Sequence, residues 1–203
     1  MNRLGLSINL TMPKAGFYPV GNGRLEAWIE PGTPQALTAI ERPSLDRIHG
    51  IAGVAGLDRK IAERMKSQAI SRLNEAGFDA DIDIVQWTSA SPGAALHLVA
   101  EHGPWPASFL GLGERGKSAE AVANDAINEL LAHESTTGLI DPHSADQLLV
   151  PLALANGRSE YTVSTVTEHL RTNAHTIQSF LDRSITIVET GAGLPGRVIM
   201  AEG

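Results

Sequence analysis

The sequence predicts an α+β fold with helices packed on mixed sheets. Short stretches alternate apolar and polar residues in strand fashion, and longer stretches carry an apolar stripe at helical spacing. Their order gives recurring strand pairs in place of strict βαβ alternation. Leu6 to Met12 alternates, and Leu25-Glu26-Ala27-Trp28-Ile29 does so again across the turn Gly16-Phe17-Tyr18-Pro19-Val20-Gly21-Asn22-Gly23. Pro31-Gly32-Thr33-Pro34 marks a boundary, after which strand-like stretches cover 36–40 and 46–54. Leu57, Ile61, Met65, Ala69 and Leu73 then recur every fourth residue, predicting a helix from Leu57 to Ala76 whose other face carries Arg59, Lys60, Arg64, Lys66 and Arg72.

Strands follow near 80–87, 94–100 and 107–112, and a helix over Ser118 to Glu134 turns Val122, Ala126, Ile127, Leu130 and Leu131 inward. A segment over 143–155, apolar after its first turn, predicts a deeply buried helix kinked by Pro151. A strand at 160–166 leads into a helix over 168–182, marked by Leu170, Ala174, Ile177 and Leu181. The strands 184–190 and 196–201 close the chain around a glycine-proline turn.

The chain has 203 residues, enough for one large domain or two small ones. At 42% apolar and 19% charged residues it is an ordinary globular composition, which argues against wholesale disorder. Sixteen Lys+Arg against 23 Asp+Glu leave a net charge of −7, which argues against coating nucleic acid through the net field and leaves a local basic patch open. Cysteine is absent, so disulfide scaffolds, thiol nucleophiles and thiolate metal sites are excluded. No apolar run approaches the ~18–20 residues of a membrane span. The N-terminus lacks a signal-peptide layout, so a soluble cytoplasmic protein is expected.

Gly111-Leu112-Gly113-Glu114-Arg115-Gly116-Lys117-Ser118 satisfies the pattern G-x-x-x-x-G-K-S between a strand and a helix. A phosphate-binding loop of that kind also needs a second strand ending in a metal-binding aspartate. The one candidate is Gly138-Leu139-Ile140-Asp141, which Pro142 interrupts at once. The alternative is a plain strand-to-helix turn with Lys117 in solvent.

Two helix starts are rich in polar residues. Asp141-Pro142 has the form of an N-cap followed by proline at the first helical position. His143, Asp146 and Gln147, three and four residues apart, then share one helix face. That cluster is either an internal hydrogen-bond network or the wall of a ligand site. Thr167 is an N-cap for the next helix and leaves His169 in its first turn. The amides and partial positive charge of a helix start suit phosphate, and an imidazole held against bound phosphate is a nucleophile. The alternative for His169 is a structural hydrogen-bond donor. His175 lies six residues on and faces elsewhere, so no metal pair forms.

The run His143-Ser144-Ala145-Asp146-Gln147-Leu148-Leu149-Val150-Pro151-Leu152-Ala153-Leu154-Ala155, followed by Thr167-Glu168-His169-Leu170-Arg171-Thr172-Asn173, resembles the C-terminal part of the RNA 3′-terminal phosphate cyclases. The turn from Gly16 to Gly23 resembles the family's glycine-rich signature, with Asn22 where a glycine is usual and Ala15 in place of a basic residue. Ser118-Ala119-Glu120 is similar to the segment that opens the family's last repeat. The resemblance runs from about Leu10 to Ala201.

What the resemblance implies is an ATP-dependent ligase-class enzyme that uses Mg²⁺ or Mn²⁺ to convert an RNA 3′-phosphate into a 2′,3′-cyclic phosphate through a histidine-AMP intermediate. By resemblance, His169 is the nucleophile, His143 takes the place of the residue that stacks on adenine, and Asp146 and Gln147 hold the nucleotide. The family's metal-binding glutamate belongs to N-terminal repeats that this sequence does not contain, so no metal ligand is assigned. The implied organisation is the end of a truncated repeat over 1–33, a small α/β insert over 34–112, and a last βαβαββ-type repeat over 113–203. The implied partners are RNA 3′-phosphate ends and an N-terminal portion of the same fold, and a truncated homologue is expected to be incomplete alone. The alternatives are a non-catalytic relative that binds RNA in ribosome biogenesis, and a nucleotidase that uses Lys117 and Ser118.

Overall fold

A computed structural model describes residues 2–189, 191 and 195–202 of the chain. The elements are β1 (Ile8–Lys14), β2 (Arg24–Ile29), β3 (Thr38–Ala39), β4 (Arg47–Ala55), α1 (Arg59–Glu75), β5 (Ala80–Gln86), β6 (Gly93–His102) and β7 (Trp105–Leu112). They continue with α2 (Ala119–Glu134), α3 (Pro142–Gln147), α4 (Leu149–Ala153), β8 (Ser159–Val163), α5 (Glu168–Phe180), β9 (Ile185–Glu189) and β10 (Gly196–Met200). Helices and mixed sheets make this an α+β fold. Most of the turn expected between the last two strands lies outside the described residues.

The residues group into two compact units: one of Met1–Asn9, Trp28–Pro43 and His133–Gly203, the other of Leu10–Ala27 and Ser44–Ala132. β1 and β2 pair as a two-stranded ribbon, and Leu10, Met12 and Leu25 stand exposed on it. In the turn between them Asn22 takes the left-handed conformation with φ 54°, which asparagine tolerates.

The unit around 44–132 is a four-stranded sheet in the order β5-β4-β6-β7. β4 runs parallel to β5, as the intervening α1 allows, and antiparallel to β6. β6 and β7 form a hairpin whose terminal pair is His102 with Trp105, so only Gly103 and Pro104 make the turn. Gly103 supplies a φ of 58° there, which lengthens both strands beyond the apolar alternation. One core joins the sheet residues Ile48, Ile82, Leu96, Leu98 and Phe109 to Met65, Ala69 and Leu73 of α1 and to Val122, Ile127 and Leu130 of α2.

The basic residues of α1 are largely engaged inside this unit. Arg64 meets Glu120 at 2.7 Å, Arg72 donates to Asn124 and Asn128 at 3.0 and 2.8 Å, and Lys66 donates to the Ile82 carbonyl at 2.5 Å. Arg59 pairs with Glu63 one turn along at 3.1 Å. Three of the five cations read on this helix, Arg64, Lys66 and Arg72, therefore fasten α1 to its neighbours. The Arg64 hydrogen bond holds the Glu120 carboxyl down at about 2.

The other unit has a mixed sheet in the order β3-β8-β10-β9. β3 lies parallel to β8, β10 runs antiparallel to β8, and β9 runs antiparallel to β10. Its buried side chains include Leu139, Leu149, Leu152, Tyr161, Val163, Leu170, Ile185, Val198 and Met200. The helix expected over 143–155 is two helices, α3 and α4, meeting at Leu148. Proline has no amide to offer the carbonyl four residues back and its ring crowds that carbonyl, so Pro151 breaks the helix beside Gln147 and not at its own position. Burial is partial as well: Leu149 and Leu152 are buried, whereas Val150 and Leu154 are exposed.

Candidate functional site

The site is built where two chain segments run side by side and each turns into a helix. Ile140 bridges Val163 in parallel: its amide donates to the Thr162 carbonyl and its carbonyl accepts from the Ser164 amide, both at 3.0 Å. Both segments point the same way, so the starts of α3 and α5 follow from the same end of this pair. Gly138 permits the approach. A Cβ there would lie 2.3 Å from the Ser164 amide nitrogen and from the Val163 carbonyl carbon, far inside van der Waals contact.

Each helix start is fixed by its cap. Asp141, in extended conformation, uses Oδ1 to accept from the His143 and Ser144 amides at 3.1 and 2.8 Å, and Pro142 takes the first helical position. Thr167 accepts from the Leu170 amide at 3.2 Å through Oγ1. Glu168 adds a negative charge in the first turn of α5 and pairs with Arg171 at 2.6 Å, while Arg171 also pairs with Glu189.

α3 and α4 pack on α5, and the Tyr161 hydroxyl of β8 donates to the Ala145 carbonyl of α3 at 2.6 Å. Burial, reinforced by the charge of Asp146, pushes the Tyr161 phenol far above its ordinary pKa. Tyr161 therefore stays a neutral hydrogen-bond donor that pins α3 to the sheet.

The structure gathers His143, Asp146, Gln147 and His169 into one compact unit, with both histidines at the second residue of their helices. His143, Gln147 and His169 are exposed and Asp146 is half-buried. Exposed imidazoles and an amide with a half-buried carboxylate can bind and react with a ligand arriving from solvent. Asp146 also contributes to the electrostatic environment of Tyr161.

Gly138, Tyr161 and Ser164 escaped the sequence reading as parts of this site. Gly138 could be read only as the start of a second nucleotide-binding strand, and Tyr161 only as a strand residue. Asp141 and Ser164 are each 1% exposed, and their Oδ2 and Oγ atoms have no hydrogen-bond partner among the described residues. Both lie one step beyond the Ile140–Val163 bridge.

The segment that matches a phosphate loop is occupied by its own side chain. Lys117 donates to the Leu112 carbonyl at 3.2 Å and pairs with Asp125, leaving its side chain 24% exposed, so it does not extend into solvent as expected for a plain turn. Gly111 is needed for packing, since a Cβ there would lie 2.0 Å from the Val122 carbonyl oxygen of α2. Asp141, the aspartate such a loop would require, is the buried cap of α3.

Over residues 1–187 the sequence matches the family model described as RNA 3′-terminal phosphate cyclase. The chain belongs to that family. It is 38% identical over 196 residues to the RNA 3′-terminal phosphate cyclase of Methylococcus capsulatus, a match covering 95% of this chain and 54% of that protein. It is 35% identical over 181 residues to the enzyme of the same name from Nostoc punctiforme, covering 89% and 52% respectively. For the Pyrobaculum aerophilum protein of that name the identity is 34% over 198 residues, covering 93% and 55%. The chain thus spans about half the length of the cyclases it matches. Both helix starts lie within the matched span. No helix among the described residues is long and apolar enough to cross a membrane.

Proposed function

We propose that this chain carries the nucleotide-transfer part of an ATP-dependent RNA 3′-terminal phosphate cyclase, with His169 as the residue that takes AMP. The observation that carries this reading is the paired helix starts: His169 on α5 and the face of His143, Asp146 and Gln147 on α3 follow from one end of a parallel pair. A ring nitrogen of His169 attacks the α-phosphorus of ATP, forming a P–N bond as the bond to pyrophosphate breaks. An oxygen of the RNA 3′-phosphate then takes the AMP, and the P–N bond breaks. The adjacent 2′-hydroxyl attacks the activated 3′-phosphorus, loses its proton and expels AMP, leaving the 2′,3′-cyclic phosphate. Ring closure is favoured because the nucleophile is already held beside its target.

His143 stacks on the adenine, and Asp146 with Gln147 hydrogen-bonds the nucleotide. No residue of this set is assigned as a metal ligand; a Mg²⁺ or Mn²⁺ ion would enter with the ATP, since such sites draw on substrate phosphates. When bound, that ion neutralises phosphate charge. Metal ligation by protein side chains, and full cyclisation, fall to polypeptide equivalent to the remainder of the cyclases' length.

The test is incubation with ATP labelled at the α-phosphate and Mg²⁺ or Mn²⁺, followed by a search for acid-labile label on the protein. Label is expected on the wild-type chain and on Lys117→Ala, and absent from His169→Ala. ATP hydrolysis without covalent label, lost in Lys117→Ala, would refute the assignment. Weak or absent RNA cyclisation by the chain alone is expected, with recovery when the N-terminal part of a relative is supplied.

A further inference from the structure

The turn from α5 into β9 holds a buried cation that has no counter-charge among the described residues. Arg183 is 6% exposed; its Nη2 donates to the Gly157 carbonyl at 2.6 Å, and its Nε has no partner among the described residues. No carboxylate pairs with it among those residues. Two other charges of the same unit are matched: Arg42 pairs with Glu134 at 3.5 Å, and Glu160 with Arg158 and Arg197 at 2.7 and 2.9 Å. A buried guanidinium without an anion is unfavourable, and an anion bound beside it would offset that cost.

Arg183 lines an open cleft of about 470 Å³ together with Gln178, Ser179, Phe180, Asp182 and Ser184. Gln178 accepts from the Ile185 amide at 2.9 Å through Oε1, which leaves its NH₂ group as a donor. Phe180 is 84% exposed, an aromatic face with nothing packed over most of it. Asp182 and the last carbonyls of α5 oppose a highly charged ligand. The combination suits a single phosphodiester charge with a flat ring beside it, which is one nucleotide of a single strand.

We infer that this cleft binds an upstream nucleotide of the RNA strand, its phosphodiester on Arg183 and its base on Phe180. The inference rests on His169 being the site at which the RNA 3′ end is activated. His169 and Phe180 lie eleven positions apart on α5, roughly 17 Å of helix axis. An RNA whose 3′-phosphate lies at His169 therefore reaches the cleft only if it extends several nucleotides upstream.

The experiment compares binding of a dinucleotide and an octanucleotide, each ending in a 3′-phosphate, by fluorescence anisotropy on the full chain. The wild type is expected to prefer the octanucleotide. Arg183→Gln and Phe180→Ala are each expected to weaken octanucleotide binding about 5- to 10-fold while leaving the dinucleotide unchanged, in line with the loss of one stacked base. Arg183→Gln should also lower the salt slope of octanucleotide binding by about one. Phe180 is exposed, so its variant decides the matter even if Arg183→Gln fails to fold by circular dichroism. Equal affinity for the two lengths in the wild type, or an undiminished octanucleotide affinity in Phe180→Ala, would overturn the inference. Covalent AMP labelling of the wild type is scored separately: label without length-dependent RNA binding sinks the cleft alone, whereas absence of label sinks the reading on which it rests.

Discussion

At the junction of β7 and α2, and again at the junction of β8 and α5, a strand gives way to a helix behind a polar turn. At the first, Lys117 folds back on the Leu112 carbonyl and on Asp125, so its charge is satisfied within the junction. At the second, Thr167 caps the helix and His169 stands exposed in the first turn. The first matches the general phosphate-loop pattern residue by residue, and the second matches no such general pattern, only a run that resembles the cyclase family. What separates them is whether the reactive side chain is left available once local hydrogen bonds are made.

That contrast is sharpest in the labelling experiment. His169→Ala should remove all covalent AMP, and Lys117→Ala should remove none. Losing the partly exposed Lys117–Asp125 pair should cost stability no more than about 1 kcal/mol.

The next largest effect is expected at the joint of the second region. Gly138→Ala forces a methyl onto the Val163 and Ser164 backbone and should destabilise the fold by about 1–3 kcal/mol, seen as a lower urea midpoint. It should also reduce AMP labelling, because it spreads the two helix starts apart. A full-strength label in a folded Gly138→Ala chain would mean that their spacing is immaterial.

Asp141→Ala removes the α3 cap and should cost about 1 kcal/mol, with Asp141→Ser recovering most of it, since one acceptor oxygen suffices. ATP affinity, measured by calorimetry, should fall in the alanine variant more than in the serine variant.

The smallest effect is expected from surface pairs of the 44–132 unit. The hydrogen bonds from Arg64 and Arg47 hold Glu120 and Glu101 at about 2, below the ordinary 4.5. A depressed carboxyl pKa contributes stability that is complete above the ordinary value and is lost as pH falls from about 4.5 toward 2. Both carboxylates are at the surface, so the change in urea midpoint between pH 5 and pH 3 attributable to Arg64→Gln should be smaller than that of Asp141→Ala.

Much of this architecture was legible because it follows from local periodicity. The apolar positions of α1 and α2 recur at helical spacing, and both helices lie within two residues of the expected bounds. The caps Asp141 and Thr167 were legible for the same reason, each being a short-range bond to the next turn. Long-range partners were not. Nothing near Lys117 in sequence marks Asp125 as its acceptor, eight residues on, and nothing near Gly138 marks the Val163 backbone as its neighbour. The kink from Pro151 was legible, and it falls beside Gln147 because proline acts on the carbonyl four residues behind it. Arg183 carries no sequence signal, since its burial without a carboxylate is a property of the folded turn.

The bridge between Ile140 and Val163 consists of two hydrogen bonds, and the residues it joins are far apart along the chain. The two histidine-bearing helix starts are held together only once the loop between Ile140 and Val163 has closed, at an entropic cost that local helix formation does not carry. The Ile140 and Ser164 amides are then natural reporters of whether the two starts stay together. Their exchange with deuterated solvent should follow the opening of this joint more closely than amides of the 44–132 core, and slow when nucleotide binds across it.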